Sequence, residues 1–331
     1  MYFPSNFQVF YNGLTRFRNV TIILIFFWKS LPLPPLKKIH IPPYFWALGA
    51  MLFWGLSFIW SSILLQYYEP VTIIFIRLIL SSAMLFGFIR LTGLQQKIYR
   101  HDIKYILLGS LFNPFLYFFC ENYGLKYSTP TIAAVIIATI PVFSPVVAWI
   151  TYRERLTMLN FLGIIVSFGG VLLMLMNDES ELAVDPVGVL FLFGAVFAAL
   201  LYSVVLRKLT ARYSSVNLIA YQNFIGIFLF MPLFFIMDVR HAITVTLNPT
   251  IISSFLLLAL FASSVAFVFF AQSVKVLGIS KSNIFSNLIP VFTAIFSYLL
   301  IHEAFTFRKL IGMTIVIAGV FLSETTKNKS V

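Results

Sequence analysis

The sequence predicts an all-α membrane protein in which ten transmembrane helices form two inverted five-helix repeats around a central cavity. Composition, the spacing of the apolar runs and an internal repeat carry that prediction. Of 331 residues, 60% are hydrophobic and 10% are charged, against roughly a quarter charged in a soluble domain. Thirty-eight are Phe, and the mean hydropathy is +0.96. No soluble fold of this length hides so much apolar surface, so lipid must solvate most of the side chains.

A helix needs about 20 residues to cross a hydrocarbon core of ~30 Å. Apolar runs of that order occupy residues 44–65, 71–91, 103–121, 130–151, 158–176, 186–207, 216–237, 249–271, 280–301 and 307–323. The gaps are short and hold turn or charged residues, such as Glu69-Pro70 and Arg153-Glu154-Arg155. Residues 1–43 and 324–331 read as cytoplasmic tails. In the first tail, Val20 to Trp28 is apolar but too short to span. The segment Leu31-Pro-Leu-Pro-Pro35 cannot continue a helix, and no small-residue cleavage site follows the apolar stretch.

Alternating the runs across the membrane puts 18 of the 23 Lys and Arg on the side of the N-terminal tail. Four fall on the other side, Lys126, Arg240, Arg308 and Lys309, and Arg77 lies inside a span. This bias makes both termini cytoplasmic and the acidic connector 177–185 external. The net charge of +12 is thus spread over short loops as a topology signal, and no nucleic-acid partner is expected. Cys120 is the single cysteine, and it excludes an intrachain disulfide or a cysteine metal cluster. The four His show no ligand spacing and no P-loop or dinucleotide motif is present, so no metal or cofactor is expected. ATP-driven pumping by this chain alone is excluded on the same ground.

The repeat emerges on shifting the sequence by 149 residues. Ile140-Pro-Val-Phe143 then falls on Ile289-Pro-Val-Phe292, Lys126 on Lys275, Glu154 on Glu303, Gly163 on Gly312 and Gly170-Val171 on Gly319-Val320. A shift of 145 lays Gly49-Ala50 on Gly194-Ala195 and Arg77 on Gln222. The halves are residues 44–176 and 186–323, with five spans each. An odd number of spans forces the second copy into the membrane upside down. Two near-equivalent halves permit two conformations of similar energy, although duplication that merely yields a stable bundle is the plainer reading.

At these residues the sequence resembles the EamA family of the drug/metabolite transporter superfamily. The pattern is Trp54-Gly55 in the first run, Pro70 with Arg77 in the second, and Glu121-Asn-Tyr-Gly-Leu-Lys126 leading into the fourth. Pro141, the Arg153-Glu154-Arg155 turn and Gly163 with Gly169-Gly170 follow, and the last group recurs as Pro290, Glu303, Gly312 and Gly319. The likeness covers about residues 44 to 323. It implies a ten-helix basket whose central cavity moves small organic solutes, often outward. The second half departs from the first, with Gln222 at the Arg position and Ala199-Leu200 at the Trp-Gly pair. A site built on paired arginines is therefore not expected.

Six residues are candidates for the site: Arg77, Asn113, Gln222, Asn283 and Asn287 as cavity or substrate-binding groups, and Glu121 as a proton carrier. A cation such as Arg77 within a span should face a cavity or a partner. It serves either as a contact for an anionic group or as a structural donor to backbone carbonyls. Glu121 lies on the same membrane side, as a proton carrier or as an interfacial acid held by Arg77 or Lys126. Asn283, Ser286, Asn287 and Pro290 fall along one helix face, while their counterparts Ala134, Ile137, Ala138 and Pro141 are almost wholly apolar. Such asymmetric lining suits an amphipathic cargo. Asn113-Pro114 and Tyr221-Gln222-Asn223 add polar groups at similar depth, and Trp54, Trp60, Tyr117 and Tyr202 are aromatic candidates. Gly163, Gly169, Gly170, Gly312 and Gly319 suit close helix packing.

The expected function is secondary transport, most simply export, of small metabolites across an inner membrane, with the cargo and membrane lipids as partners. The alternatives are an intramembrane enzyme acting on lipid and a sensor or scaffold without transport. The enzyme would need clustered carboxylates, a His-Asp pair or metal ligands at membrane depth, where only Arg77 and Glu121 qualify.

Overall fold

The structure, a computed structural model, describes residues 43–152, 157–176, 184–278, 282–283, 285–304 and 306–324. Both terminal tails, the Arg153-Glu154-Arg155 turn and most of the connector 177–185 lie outside the described residues. The first half holds α1 (Pro43–Leu65), α2 (Pro70–Thr92), α3 (Arg100–Lys126), α4 (Pro130–Ile137 continued by Ile140–Tyr152) and α5 (Met158–Leu175). The second holds α6 (Pro186–Thr210), α7 (Ser215–Ala242), α8 (Pro249–Leu277), α9 (Phe285–Ile301) and α10 (Phe307–Glu324).

Seven of these helices, α1, α2, α3, α5, α6, α7 and α8, are long and apolar enough to cross a membrane. The other three differ from the continuous runs expected. Helix α4 breaks after Ile137 and α9 opens with a 3-10 turn over Phe285–Asn287. Pro141 and Pro290 follow these breaks and supply no N–H to the carbonyls four residues earlier. Helix α10 carries Arg308, Lys309 and Glu324 within its 18 residues.

Local chemistry sets several helix starts. Helices α2, α4, α6 and α8 begin with Pro70, Pro130, Pro186 and Pro249. A first-turn N–H has no helical partner to lose, and the ring presets φ. Before three of these prolines, Thr129, Asp185 and Asn248 accept from the N–H of Ile132, Val187 and Ile251. Such a cap is worth about 1 kcal/mol.

Helices α3 and α8 each widen into a π-helical turn, over Leu111–Leu116 and Leu258–Ala266. In α3 this turn holds the cis Asn113-Pro114 peptide, and Asn113 adopts φ −147 and ψ 119.

Polarity is reversed relative to a soluble protein. Large apolar side chains such as Phe161, Ile165, Leu190 and Phe228 point outward, while Arg77, Ser81, Asn122, Gln222 and Asn223 are buried.

The starts of α2, α7 and α4 each lie against the end of the counterpart helix in the other half. At the start of α2, the Thr72 N–H and hydroxyl donate to Asp238 Oδ2 near the end of α7, at 2.9 and 3.1 Å. Conversely, Asn217 at the start of α7 accepts from the Gln96 N–H at 3.1 Å and donates to the Leu94 carbonyl at 2.7 Å, just past the end of α2. Thr131 at the start of α4 donates to Glu303, past the end of α9, through its N–H at 3.3 Å and its hydroxyl at 2.8 Å.

Helices α5 and α10 meet along glycines. A Cβ on Gly170 would lie 2.7 Å from the Gly312 carbonyl, and one on Gly319 would lie 2.8 Å from the Gly163 carbonyl. Helix α1 packs on α8 and α9, and its counterpart α6 packs on α3 and α4.

Candidate functional site

A cavity of about 570 Å³, mouth included, lies where the two halves meet. Its walls come from α1, α3 and α4 of the first half and from α6, α8 and α9 of the second, with Asn283 just ahead of α9. The wall residues occur largely at matched positions of the repeat: Trp54 with Ala199, Phe58 with Ser203, Glu121 with Phe270, Ile137 with Ser286 and Ile140 with Ile289. Asn113, Tyr117, Tyr202, Phe267 and Asn283 complete the lining. At most matched positions the halves are complementary, a bulky or apolar residue from one facing a small or polar one from the other. The π-helical turn in α3 brings Asn113 to the wall, and the turn in α8 ends immediately before Phe267.

Glu121 is the one ionisable carboxylate in this lining among the described residues. It is largely buried, and its Oε1 accepts from the Tyr117 hydroxyl at 2.8 Å. No protein donor is within hydrogen-bond reach of Oε2 among the described residues. Lys126 pairs instead with Glu69, so it does not hold Glu121. On the opposite wall, the Tyr202 hydroxyl donates to Gln222 Oε1 at 2.9 Å. Asn283 donates weakly to Ser144 at 3.5 Å, and the Ser286 hydroxyl donates to the Asn283 carbonyl at 2.6 Å. Aromatic rings make up much of the remaining wall, and Trp54 packs against both Phe267 and Phe270 with centroids 4.9 and 5.0 Å apart.

Of the six residues singled out from the sequence, Asn113, Glu121 and Asn283 line the cavity, and Arg77, Gln222 and Asn287 do not. Arg77 sits behind the wall, with its guanidinium carbon 4.0 Å from the centroid of the buried Phe118 ring. Its Nε donates to Ser263 Oγ at 2.7 Å, in the π-helical turn of α8, while Nη1 has no partner among the described residues. Asn223 joins the same cluster, donating to Ser81 Oγ at 2.8 Å and to the Ser263 carbonyl at 3.0 Å. Arg77 and Glu121 lie within electrostatic reach but make no ion pair within 4.0 Å. Gln222 reaches the cavity through Tyr202, and Asn287 is buried with neither side-chain polar atom partnered among the described residues.

Trp54, Tyr117 and Tyr202 were legible as aromatic candidates, whereas Trp60 belongs to a separate apolar cluster with Leu64, Tyr68 and Phe255. Phe58, Ser203, Phe267 and Phe270 were missed. The signal that finds three of them is the repeat itself, because Ser203 and Phe58 match each other and Phe270 matches Glu121. Among the described residues no group of three or more His, Cys, Asp or Glu is placed to hold a metal ion.

Comparison with known proteins agrees with this architecture. An uncharacterized transporter of Archaeoglobus fulgidus is 27% identical over 285 residues, spanning 84% of this chain and 96% of its own. The uncharacterized transporter YyaM of Bacillus subtilis is 27% identical over 296 residues, spanning 86% and 94%. A solved crystal structure superposes with a TM-score of 0.62 over 85% of this chain and 95% of its own, at 15% identity, and so shares the fold. The model of the EamA-like transporter family matches twice, over residues 41–176 and 186–325, each match covering one half of the repeat. A chain that is multi-pass, duplicated and matched by the same family in both copies thus belongs to the EamA-like transporter family.

Proposed function

We propose that the protein is a secondary transporter that exports small amphipathic metabolites across the inner membrane by alternating access. The cavity at the junction of two related halves carries this reading, because matched positions from both halves form its wall. Movement of one half against the other changes which end of such a cavity is open. The antiparallel pairing of α2 with α7, α4 with α9 and α5 with α10 supports ten spans arranged as an inverted repeat. Residues 44–176 and 186–323 are then the two moving units, joined by an external connector at 177–185, with cytoplasmic tails at 1–43 and 324–331. The Lys and Arg bias supports that orientation.

Within the cavity, Asn113 and Asn283 supply hydrogen bonds to the polar part of the cargo, and the aromatic wall receives its apolar part. Glu121 is the group placed to carry a proton. Arg77, Gln222 and Asn287 stand one layer behind and position the wall. Metabolites inside and outside cells with and without the protein test this reading. One or a few small solutes should build up outside only when the protein is present. Their distribution should respond to collapse of the proton gradient. Identical profiles at normal abundance of inserted protein would refute transport.

A further inference from the structure

We infer that the cavity selects cargo bearing an ammonium group on an aromatic or apolar body. This rests on the reading of the cavity as the transport site and names its substrate class. Among the described residues the lining contains one charged side chain, Glu121. Only one of its oxygens is engaged, by Tyr117, so Oε2 remains available to a donor from the cargo. A cation in a site of low dielectric gains far more from such an oxygen than it would in water.

The cation nearest to Glu121, Arg77, does not meet the cargo. Its guanidinium is stacked behind Phe118 and bonded to Ser263, outside the lining. A carboxylate on the cargo would therefore face Glu121 without a compensating cation among the described residues of the wall. The rings beside the carboxylate strengthen the same preference. Trp54, Tyr117, Phe267 and Phe270 line the cavity, and a ring face attracts an ammonium within about 6 Å. Asn113 and Asn283 are neutral and accept or donate equally, so they add orientation without changing the sign.

The test reads the charge preference of the cavity without knowing the natural cargo. In full-length protein carrying Cys120→Ala, a single thiol is placed on the wall by Ala199→Cys. It is treated in proteoliposomes with a trimethylammonium-bearing and a sulfonate-bearing methanethiosulfonate. Relative to a free thiol in solution, the cationic reagent should react at least tenfold faster than the anionic one. Glu121→Gln should bring that ratio back to within twofold of the free thiol, and Glu121→Asp should keep it. Phenylethylammonium should protect the introduced thiol from labelling, and phenylpropanoate should not. Equal rates, an anionic preference, or protection by phenylpropanoate alone would overturn the substrate class while leaving the cavity intact. Inertness to both reagents, with a control His241→Cys reacting normally, would overturn the cavity reading itself and the proposal with it. Should Glu121→Gln fail to fold, the ratio in the Ala199→Cys background and its retention in Glu121→Asp still decide the matter.

Discussion

Replacing Arg77 by Met tests whether this buried cation holds the halves together. The guanidinium bridges α2 of the first half to α8 of the second through the 2.7 Å bond to Ser263, and it covers the Phe118 ring of α3. A hydrogen bond to a charged group contributes about 1.5–3 kcal/mol, and a cation over a ring contributes about 0.5–2 kcal/mol. Met removes both, but it also removes Nη1, a buried donor without a partner that costs about 1–3 kcal/mol as it stands. The net loss should be about 1–2 kcal/mol, roughly a tenfold shift in the folded-to-unfolded ratio.

Ser263→Ala removes the acceptor and leaves the backbone bond from Asn223 in place. The two changes should therefore be strongly non-additive, with a coupling of about 1.5 kcal/mol or more. Unfolding of purified protein by SDS in mixed micelles, followed by the fluorescence of its five Trp residues, measures all four corners of the cycle. A coupling below about 0.5 kcal/mol would show that the Arg77–Ser263 bond does not stabilise the junction.

Gly319→Ala should loosen α5 from α10, because its Cβ would lie 2.6 Å from the Ser167 backbone nitrogen, which cannot swing aside. Overpacking of this kind costs about 1–3 kcal/mol. Gly169→Ala, with nothing within 4 Å of the new Cβ, should cost no stability in the same assay. Tyr202→Phe leaves both polar ends of Gln222 without a partner, since its Nε2 already has none. It should lower stability by about 1–3 kcal/mol in the SDS titration, and an unchanged midpoint would contradict that bond. Reporter fusions after Lys97, Ser180, Arg212 and Arg240 should report inside, outside, inside and outside, and reversal at two or more of them would refute the inverted topology.

Much of the fold is legible in the sequence because a bilayer imposes few solutions. Length, hydropathy and loop charge locate the helices, and the glycines at 163, 170, 312 and 319 sit where backbones touch. The breaks in α4 and α9 were less visible. A Pro inside an apolar run reads as tolerable in lipid, and only the structure shows which carbonyls it releases. The site was legible in part. Asn113, Glu121 and Asn283 announce themselves as polar groups in apolar runs, but the same rule also selects Arg77, Gln222 and Asn287, which stand one side chain away from the wall. Burial cost drives a polar side chain toward any partner, whether cargo or neighbour. Sequence gives the cost without the direction.

The complementary lining also says how a duplicated protein can specialise. Ala134, Ile137 and Ala138 in α4 stand where the other copy has Asn283, Ser286 and Asn287, and all six are buried. The first copy fills the space, and the second supplies most of the amides and hydroxyls. Such a division of labour separates two kinds of evolutionary change. Substitutions at residues 283 and 286 can retune the polar groups of the cavity wall while Ile137 from the other copy keeps its volume fixed. A change at 137, the one of the three α4 positions that lines the cavity, would alter the size of the space and leave its polarity alone. Two identical copies could not vary one property without the other, whereas two divergent copies in one chain give size and polarity independent addresses.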